Sequence, residues 1–257
     1  MARASAIIDV VAAGDTEGVG LAAVCQVTGL NKTTAFNLLS SLVTLRFIDQ
    51  DAQSRLYRLG IRNIELGRMA QHRLHIPELA RPILVNLCKK TNETVSLALP
   101  DHAYLLVVDS ISGSKLLRST AYVGSRSLYH CTALGKSVLA YRSDKMRHAI
   151  YRMCEFPSLT TYTITDADTF EAQLRQIRAQ GYAIDAEENE IGVTCVGTVV
   201  FDGFGDIAAA ISVTGPTHRW PADTIAQCAE DVIAAANMIS EAMGYEERPD
   251  NQGSGER

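Results

Sequence analysis

The chain has 257 residues, which at about 150 residues per domain predicts two domains. Apolar residues make up 47% of it and charged residues 21%, so the composition excludes a disordered chain, a collagen-like chain and a small protein held by disulfides. The net charge is −5, which by itself argues against a nucleic-acid partner.

Cysteine usage and hydropathy bear on where the chain acts. The six cysteines are scattered without a Cys-x-x-Cys pair, which predicts reduced thiols, no metal site and no cofactor. No apolar run approaches the ~18 residues of a membrane helix. The first apolar stretch, Ala6 to Ala13, is interrupted by Asp9 and does not have the form of a signal peptide. We therefore expect a cytoplasmic protein with no membrane partner.

Charge is unevenly distributed along the chain. Residues 1–75 hold eight Lys or Arg and six Asp or Glu, which gives this segment +2 and leaves −7 for the remainder of the net −5. A mildly basic segment followed by an acidic body indicates that the two parts meet different partners.

Three short helices and a hairpin are predicted within the first 60 residues. Apolar spacing predicts helices over 4–13 and 21–27, and Asn31 is a good N-cap for a third helix over 32–45. One apolar stripe runs along this third helix: Ala35, Leu38, Leu39, Leu42 and Leu45. A small hairpin follows over 47–59. This order is typical of a winged helix-turn-helix, in which the third helix enters the major groove of DNA.

The start of the third helix carries the side chains that we expect to meet DNA. They lie off the apolar stripe and are joined by one arginine at the tip of the hairpin: Asn31, Lys32, Thr33, Phe36, Asn37 and Arg55. Lys32 can contact phosphate or guanine, and Asn37 has the donor and acceptor pair that adenine requires. Arg55 can reach a phosphate or the minor groove. The alternative is a small helical domain with a solvated polar face, because its density of basic residues is low.

The remainder of the chain is predicted to be α+β. A helix over 61–75 is followed by Pro77 and Pro82, which predict a helix break and a domain boundary nearby. Strands are expected over 94–99, 104–109, 115–122, 193–201 and 207–213. Helices are expected over 136–141, 145–153, 168–180 and 223–243, the third of them capped by Thr165.

The segment from His130 to Ser137 contains Gly-Lys-Ser, as a P-loop does. The P-loop pattern needs glycine at position 130, so the segment does not predict nucleotide hydrolysis. Two interpretations stay open. Free N–H groups at the start of the following helix can bind a small anion such as a carboxylate, or Gly135 serves only close packing at an ordinary helix start.

Acidic residues are crowded between Gly181 and Cys195. Glu187, Glu188 and Glu190 are expected on the solvated surface, and a catalytic acid and base pair is the alternative. Cys195 lies on a predicted strand without a histidine placed to activate it, so a buried structural cysteine is favoured over a nucleophile.

A pair of hydroxyls lies on the last predicted strand. Ser212 and Thr214 are two residues apart, so their side chains share one face of the sheet. They are ligand donors if that face lines a cavity, and ordinary strand residues otherwise.

These residues together resemble the IclR family of bacterial transcriptional regulators, from about Ala4 to Gly244. Any one block is weak, but several blocks occur in the order and spacing of the family. The blocks are Thr28 to Ala35, Tyr57 to Gly60, Thr91 to Val95, His130 to Lys136, Gly181 to Cys195, and Ala209 to Pro216.

The resemblance implies a fold and a domain order. It implies a winged helix-turn-helix over 1–60, a linker helix over 61–76, and an effector-binding domain of GAF-like fold with an antiparallel sheet over 77–245. The polar segment 246–257 is predicted to be a disordered tail. Members of the family are dimers or dimers of dimers that bind palindromic operators and sense small metabolites, often carboxylates or aromatic acids.

The resemblance also implies a set of effector contacts. On the matching positions of this sequence they are Ala133, Leu134, Gly135, Asp185, Cys195, Ser212 and Thr214. An ionised Asp185 would repel a carboxylate. We therefore expect Asp185 to accept a bond from a ligand hydroxyl or N–H, or to be protonated.

The sequence departs from the family pattern at three positions, which bear on the operator sequence and the effector. Asn37 stands where the family usually has arginine, Asn31 where it often has proline, and Thr214 where serine is common. We predict a ligand-responsive DNA-binding transcriptional regulator, either repressor or activator, without catalytic residues. The alternatives are an enzyme that acts on a small acid through Cys195 and Asp185, and a small-molecule sensor whose helical module binds protein rather than DNA.

Overall fold

A computed structural model describes residues 2–74, 76–115, 122–154 and 156–246. The chain divides into two compact units, Met1–His75 and Ile76–Arg257. Most of the predicted strand over 115–122 and nearly all of the predicted tail over 246–257 lie outside the described residues. Of the helices described, none combines the length and the apolar character that a membrane span requires.

The first unit contains the predicted helices and hairpin. In chain order its elements are α1 (Ala2–Ala12), α2 (Leu21–Thr28), α3 (Lys32–Thr44), β1 (Ile48–Gln50), β2 (Tyr57–Leu59) and α4 (Arg62–Leu74). The strands β1 and β2 pair antiparallel. The helices α1 to α3 and the two strands share one core of buried residues: Ile7, Val11, Val24, Ala35, Leu39, Leu42, Ile48 and Tyr57. The helix-turn-helix and its hairpin are therefore confirmed.

Local chemistry sets the turn between α2 and α3. Gly29 ends α2 in the left-handed region, at φ 67°, which glycine adopts without steric cost. Asn31 caps α3 as predicted, because its side-chain oxygen accepts the N–H of Thr34 at 2.9 Å. The stripe prediction is wrong at Leu45, which is 60% exposed. Leu45 is the C-cap of α3, so the helical period no longer directs its side chain inward.

The second unit is built on one antiparallel sheet. Its elements are α5 (Ile76–Thr91), β3 (Thr94–Asp101), β4 (Tyr104–Ile111), β5 (Arg126–Ser127), α6 (Ala133–Tyr141), α7 (Asp144–Tyr151), α8 (Ala167–Gln180), β6 (Ala183–Ala186), β7 (Val193–Phe201), β8 (Ile207–Pro216) and α9 (Ala222–Ala242). The strand order is β5-β4-β3-β8-β7-β6, and each neighbouring pair is antiparallel.

Helices cover both faces of this sheet. On one face α5 and α9 pack against alternate residues of the central strands, such as Val95 and Val213. On the other face α6 and α8 pack against the intervening residues, such as Ala98 and Ala210. The predicted α+β class with an antiparallel sheet in the C-terminal part is confirmed.

Three sequence predictions in this unit are wrong. Pro82 does not break a helix but lies inside α5. Burial of the apolar stripe of α5 against the sheet stabilises the helix by more than the one backbone hydrogen bond that proline removes. The predicted strands omit β6, which precedes the acidic residues Glu187, Glu188 and Glu190 and is held in the sheet by its pairing with β7. The helix α8 is capped by Asp166, not Thr165, through the N–H of Thr169 at 2.8 Å.

Candidate functional site

The predicted DNA-contact residues of α3 lie on one exposed face of the helix. Asn31, Lys32, Thr33, Phe36 and Asn37 are all exposed, whereas the buried residues of α3 lie on its other side. The capping bond occupies the side-chain oxygen of Asn31, so its amide N–H groups are what remain for DNA. The face thus offers one cation, one aromatic ring and several short polar groups.

Arg55 lies at the tip of the β1–β2 hairpin, and its side chain is exposed. Its backbone is left-handed, at φ 61°, and its carbonyl accepts the side-chain amide of Gln50 at 3.0 Å. The turn is held by Asp51, which accepts both the N–H and the hydroxyl of Ser54. The structure thus fixes the backbone of the tip and leaves the guanidinium of Arg55 in solvent.

A cavity of about 210 Å³ in the second unit gathers most of the predicted effector residues. Six of the seven line it: Ala133, Leu134, Asp185, Cys195, Ser212 and Thr214. Further polar residues complete the wall: Ser96, Ser125, Arg126, Ser127, Thr132 and Asn189. An apolar cavity of about 150 Å³ holds benzene, so this volume suits a ligand somewhat larger than one benzene ring.

Strand register explains why these residues meet. Asp185, Cys195 and Thr214 are directly paired across β6, β7 and β8. A second row pairs Gly197 with Ser212, which in turn pairs with Ser96. Paired residues of antiparallel strands project from the same face, so both rows point toward α6.

The start of α6 lies over this face, and glycine makes the approach possible. A Cβ at Gly197 would lie 3.3 Å from the carbonyl carbon of Ala133 and 2.9 Å from the carbonyl oxygen of Ile211. Gly135 does not line the cavity, because it packs on the backbone of Leu128 and Tyr129, where a Cβ would collide. Its predicted effector contact stays a prediction.

The first turn of α6 can receive an anion. The hydroxyl of Thr132 accepts the N–H of Gly135 at 3.0 Å and donates to the carbonyl of Leu128 at 2.6 Å. The N–H groups of Ala133 and Leu134 have no partner within the helix. They lie at the positive end of the helix dipole, at the cavity wall.

Asp185 is a buried ionisable group of the cavity wall, only 1% exposed. One of its oxygens accepts the N–H groups of Glu188 at 2.9 Å and Asn189 at 3.3 Å. Burial raises the pKa of Asp185 to about 7, although the nearby Lys136 and these two N–H donors act in the opposite direction. Near neutral pH the carboxyl is therefore present in both protonation states.

An ion pair that the sequence analysis did not predict lies beside Asp185. Lys136 is fully buried and its ammonium donates to Glu188, which is 4% exposed. The expectation that Glu188 lies on the solvated surface is therefore wrong, because a buried lysine needs a counter-ion. Thr163 holds the same turn by donating its hydroxyl to the carbonyl of Glu188 at 2.6 Å. The missed signal is the composition of α6, in which Lys136 stands among small and apolar residues, and every residue from Ala133 to Ala140 is buried.

Cys195 does not have the surroundings of a nucleophile. Burial raises the pKa of its thiol well above the ordinary range. Its sulfur accepts the hydroxyl of Thr214 at 3.2 Å. The ring of His130 forms a hydrogen bond through Nε2 with the carbonyl of Pro157 at 3.0 Å, so this nitrogen is engaged and does not serve as a base for a thiol. A thiol that stays protonated is a weak hydrogen-bonding group and a space-filling one.

A larger cleft of about 880 Å³ lies elsewhere in the second unit, between the ends of α6 and α8 and the β7–β8 hairpin. It is lined by two arginines, Arg142 and Arg178, and by two acidic residues, Asp206 and Glu241. None of the predicted effector residues borders it.

Two family models match the chain. Residues 69–241 match the model described as the C-terminal domain of the bacterial transcriptional regulator IclR, and residues 1–52 match the IclR helix-turn-helix domain. The regulator KdgR of Dickeya chrysanthemi is 31% identical over 238 residues, which cover 93% of this chain and 78% of that protein. The regulator XynR of Escherichia coli is 30% identical over 95% of this chain and 96% of its own.

Solved structures agree with this assignment. The IclR protein of Thermotoga maritima superposes with a TM-score of 0.77 at 28% identity, covering 95% of this chain and 98% of its own. An IclR homolog of Microbacterium hydrocarbonoxydans, solved in complex with 4-hydroxybenzoate, has the same fold. It superposes with a TM-score of 0.81 at 20% identity, over 94% of this chain and 98% of its own.

Proposed function

This chain belongs to the IclR family of bacterial transcriptional regulators, and from that premise we propose that its cavity binds a small carboxylate that controls DNA binding. It is a ligand-responsive, DNA-binding regulator, and not an enzyme, since its relatives are named as transcriptional regulators. The alternative of a module that binds protein has no support among these relatives.

One observation carries the choice of ligand class. The cavity combines the free N–H groups of Ala133 and Leu134 with the hydroxyls of Ser212 and Thr214. N–H groups at a helix start are suited to an anion, and a hydroxyl in the wall can donate to a further oxygen of the ligand. The volume of about 210 Å³ admits an aliphatic acid or a single aromatic ring with a carboxylate.

Two further residues complete the proposed site. Asp185 lies two strands away from the hydroxyls, and in its protonated form it donates a hydrogen bond and adds no repulsion to an anion. Cys195 lies between them and fills the wall of the cavity with a neutral thiol. The 4-hydroxybenzoate bound by the Microbacterium hydrocarbonoxydans homolog is an aromatic acid of the size class that we propose here.

The DNA-binding half of the proposal rests on α3. Lys32 meets phosphate, Asn37 reads a base edge and Arg55 contacts the backbone or the minor groove. We propose a palindromic operator bound by a homodimer or a dimer of dimers, acting in the cytoplasm where bacterial DNA lies. The exposed apolar side chains of α4, Ile64 at 56% and Met69 at 63%, support a further contact between copies.

Fluorescence anisotropy of the full chain tests this function. DNA that flanks the protein's own coding region is titrated against scrambled DNA of equal length across a salt series. Selective, salt-dependent binding that shifts when small carboxylates are added is expected. Equal affinity for both DNAs, with no response to any acid at low or high salt, would contradict the proposal.

A further inference from the structure

Two buried hydroxyls on β3 lack any hydrogen-bond partner. Among the described residues, Thr94 Oγ1 and Ser96 Oγ are buried side-chain oxygens without a donor or acceptor in reach. Thr94 is 0% exposed and Ser96 is 1% exposed. An unsatisfied buried hydroxyl is costly in a folded protein, so each of the two needs an explanation.

Only one of these hydroxyls borders the cavity. Ser96 is part of the cavity wall, whereas Thr94 is not among the described residues that line it. Both lie on the same face of β3 because they are two residues apart. Thr94 is opposite Thr214, and Ser96 is opposite Ser212.

The pairing of Ser96 with Ser212 brings two hydroxyl-bearing side chains together. Directly opposed residues of antiparallel strands have Cβ atoms about 4.5–5.5 Å apart. One ligand oxygen placed between two such side chains can bond to both hydroxyls. The described contacts leave Ser96 Oγ without a partner, so it is available for that bond.

Ser96 lies at the opposite end of the cavity from Asp185. Asp185 is on β6 and Ser96 is on β3, with β7 and β8 between them. At about 4.8 Å per strand, the two backbones are about 14 Å apart. The two residues therefore face different parts of one ligand, with the start of α6 between them.

We propose that Ser96 is a specificity-determining residue whose hydroxyl, together with that of Ser212, binds a second oxygen of the ligand. The inference rests on the proposed function and narrows its ligand class. The ligand is a small carboxylate that carries a hydroxyl or oxo group away from its carboxylate. An acid with an apolar body makes no bond to the Ser96 hydroxyl and gains nothing from it, whereas an oxygenated acid satisfies that hydroxyl and binds more tightly.

Isothermal titration of the full chain with matched pairs of acids tests this inference. The pairs are butyrate with 3-hydroxybutyrate, and benzoate with 4-hydroxybenzoate. For at least one pair we expect the oxygenated acid to bind about tenfold more tightly than its partner. In Ser96→Ala this preference should fall below about twofold, while the affinity for the apolar acid of the pair stays unchanged.

Thr94→Val provides the matched control. It also removes an orphan hydroxyl from the same face of β3, but at a position outside the cavity wall. It should therefore keep the preference for the oxygenated acid. Thermal unfolding and DNA binding of each variant establish that it is folded. Ser96→Cys, which replaces the hydroxyl by a weaker hydrogen-bonding thiol, should show an intermediate loss.

The outcomes separate the two proposals. If acids bind but the preference survives Ser96→Ala, or if both acids of a pair weaken alike, the role of Ser96 is refuted and the proposed function stands. If the wild-type protein binds acids without preferring the oxygenated ones, the role of Ser96 is also refuted, and a water molecule then satisfies its hydroxyl. If none of the acids binds and none affects DNA binding, the carboxylate site itself is wrong.

Discussion

Replacing Asp185 by asparagine tests whether burial controls the charge of the cavity. Burial raises the pKa of this carboxyl from 3.8 to about 7, whereas in the unfolded chain it titrates at its ordinary value. Between about pH 4 and pH 7 the folded state therefore binds more protons than the unfolded state. Stability must fall as the pH rises through this window, and the loss is complete above it. A pKa shift of about three units corresponds to about 4 kcal/mol.

Urea unfolding of the wild type and Asp185→Asn at pH 5 and pH 8 measures this effect. Asparagine keeps an oxygen for the N–H groups of Glu188 and Asn189 but has no proton to lose. The stability of the variant minus that of the wild type should increase by about 2–3 kcal/mol between pH 5 and pH 8. Other groups with shifted pKa values, such as His130 and Glu93, are present in both proteins, so their effects cancel.

Glu190→Gln is the matched control for this experiment. It removes a carboxylate five residues away, in the connection between β6 and β7, at an exposed position that also borders the cavity. Its stability difference from the wild type should stay within about 0.5 kcal/mol at both pH values. A difference for Asp185→Asn that does not change with pH would refute the argument from burial.

Four further predictions follow from the described contacts. Lys136→Met leaves the buried carboxylate of Glu188 without a counter-ion and should lower the free energy of unfolding by about 3–5 kcal/mol, as chemical unfolding can measure. Part of this loss should be restored when Glu188 is also neutralised. Lys32→Ala should weaken binding to all DNA and lower the slope of log affinity against log salt concentration by about 1, whereas Asn37→Ala should relax base preference. If both variants match the parent in anisotropy, α3 is not the recognition helix. Ser212→Trp should abolish the response to carboxylates while DNA binding persists, as calorimetry and anisotropy can check. Carboxylate binding above pH 7 should take up a proton at Asp185, seen as a binding enthalpy that varies with the ionisation enthalpy of the buffer.

The first unit was predicted closely because its signals are local. Helical spacing in α3, an asparagine cap at Asn31 and a glycine at the end of α2 each depend on residues within one or two turns. The error at Leu45 has the same origin, since the apolar period continues in the sequence past the residue where the helix stops.

The second unit was harder to predict because its strands pair with distant partners. β6 has only 4 residues and is held as a strand by β7, so its own sequence was too short to show the periodicity of a strand. The buried pair of Lys136 and Glu188 joins residues 52 positions apart, and spacing along the chain does not reveal such a contact. The predicted effector residues came from the resemblance to a family, and Asp185, Cys195, Ser212 and Thr214 lie together because of the register of β6, β7 and β8.

One signal in the sequence was available and was not used. β3 alternates polar and apolar residues at its start, with Thr94 and Ser96 on one face and Val95 and Leu97 on the other. Such alternation is typical of a strand with one solvated face. β3 is instead central in the sheet and buried on both sides. Polar alternation on a strand that cannot reach solvent indicates an internal cavity, and it would have pointed to Ser96.

The buried polar groups around the cavity therefore lower the stability of the fold. A sheet face covered by α6 would be more stable with apolar residues at Ser96 and Asp185, because neither the orphan hydroxyl nor the neutralised carboxyl contributes to packing. Sequences that violate local consistency in this way do so mainly at functional sites. A ligand that satisfies these groups binds only the folded state, so it stabilises the unit in proportion to its saturation. On the proposed function, the residues that make the fold less stable are the ones to which the ligand would bind.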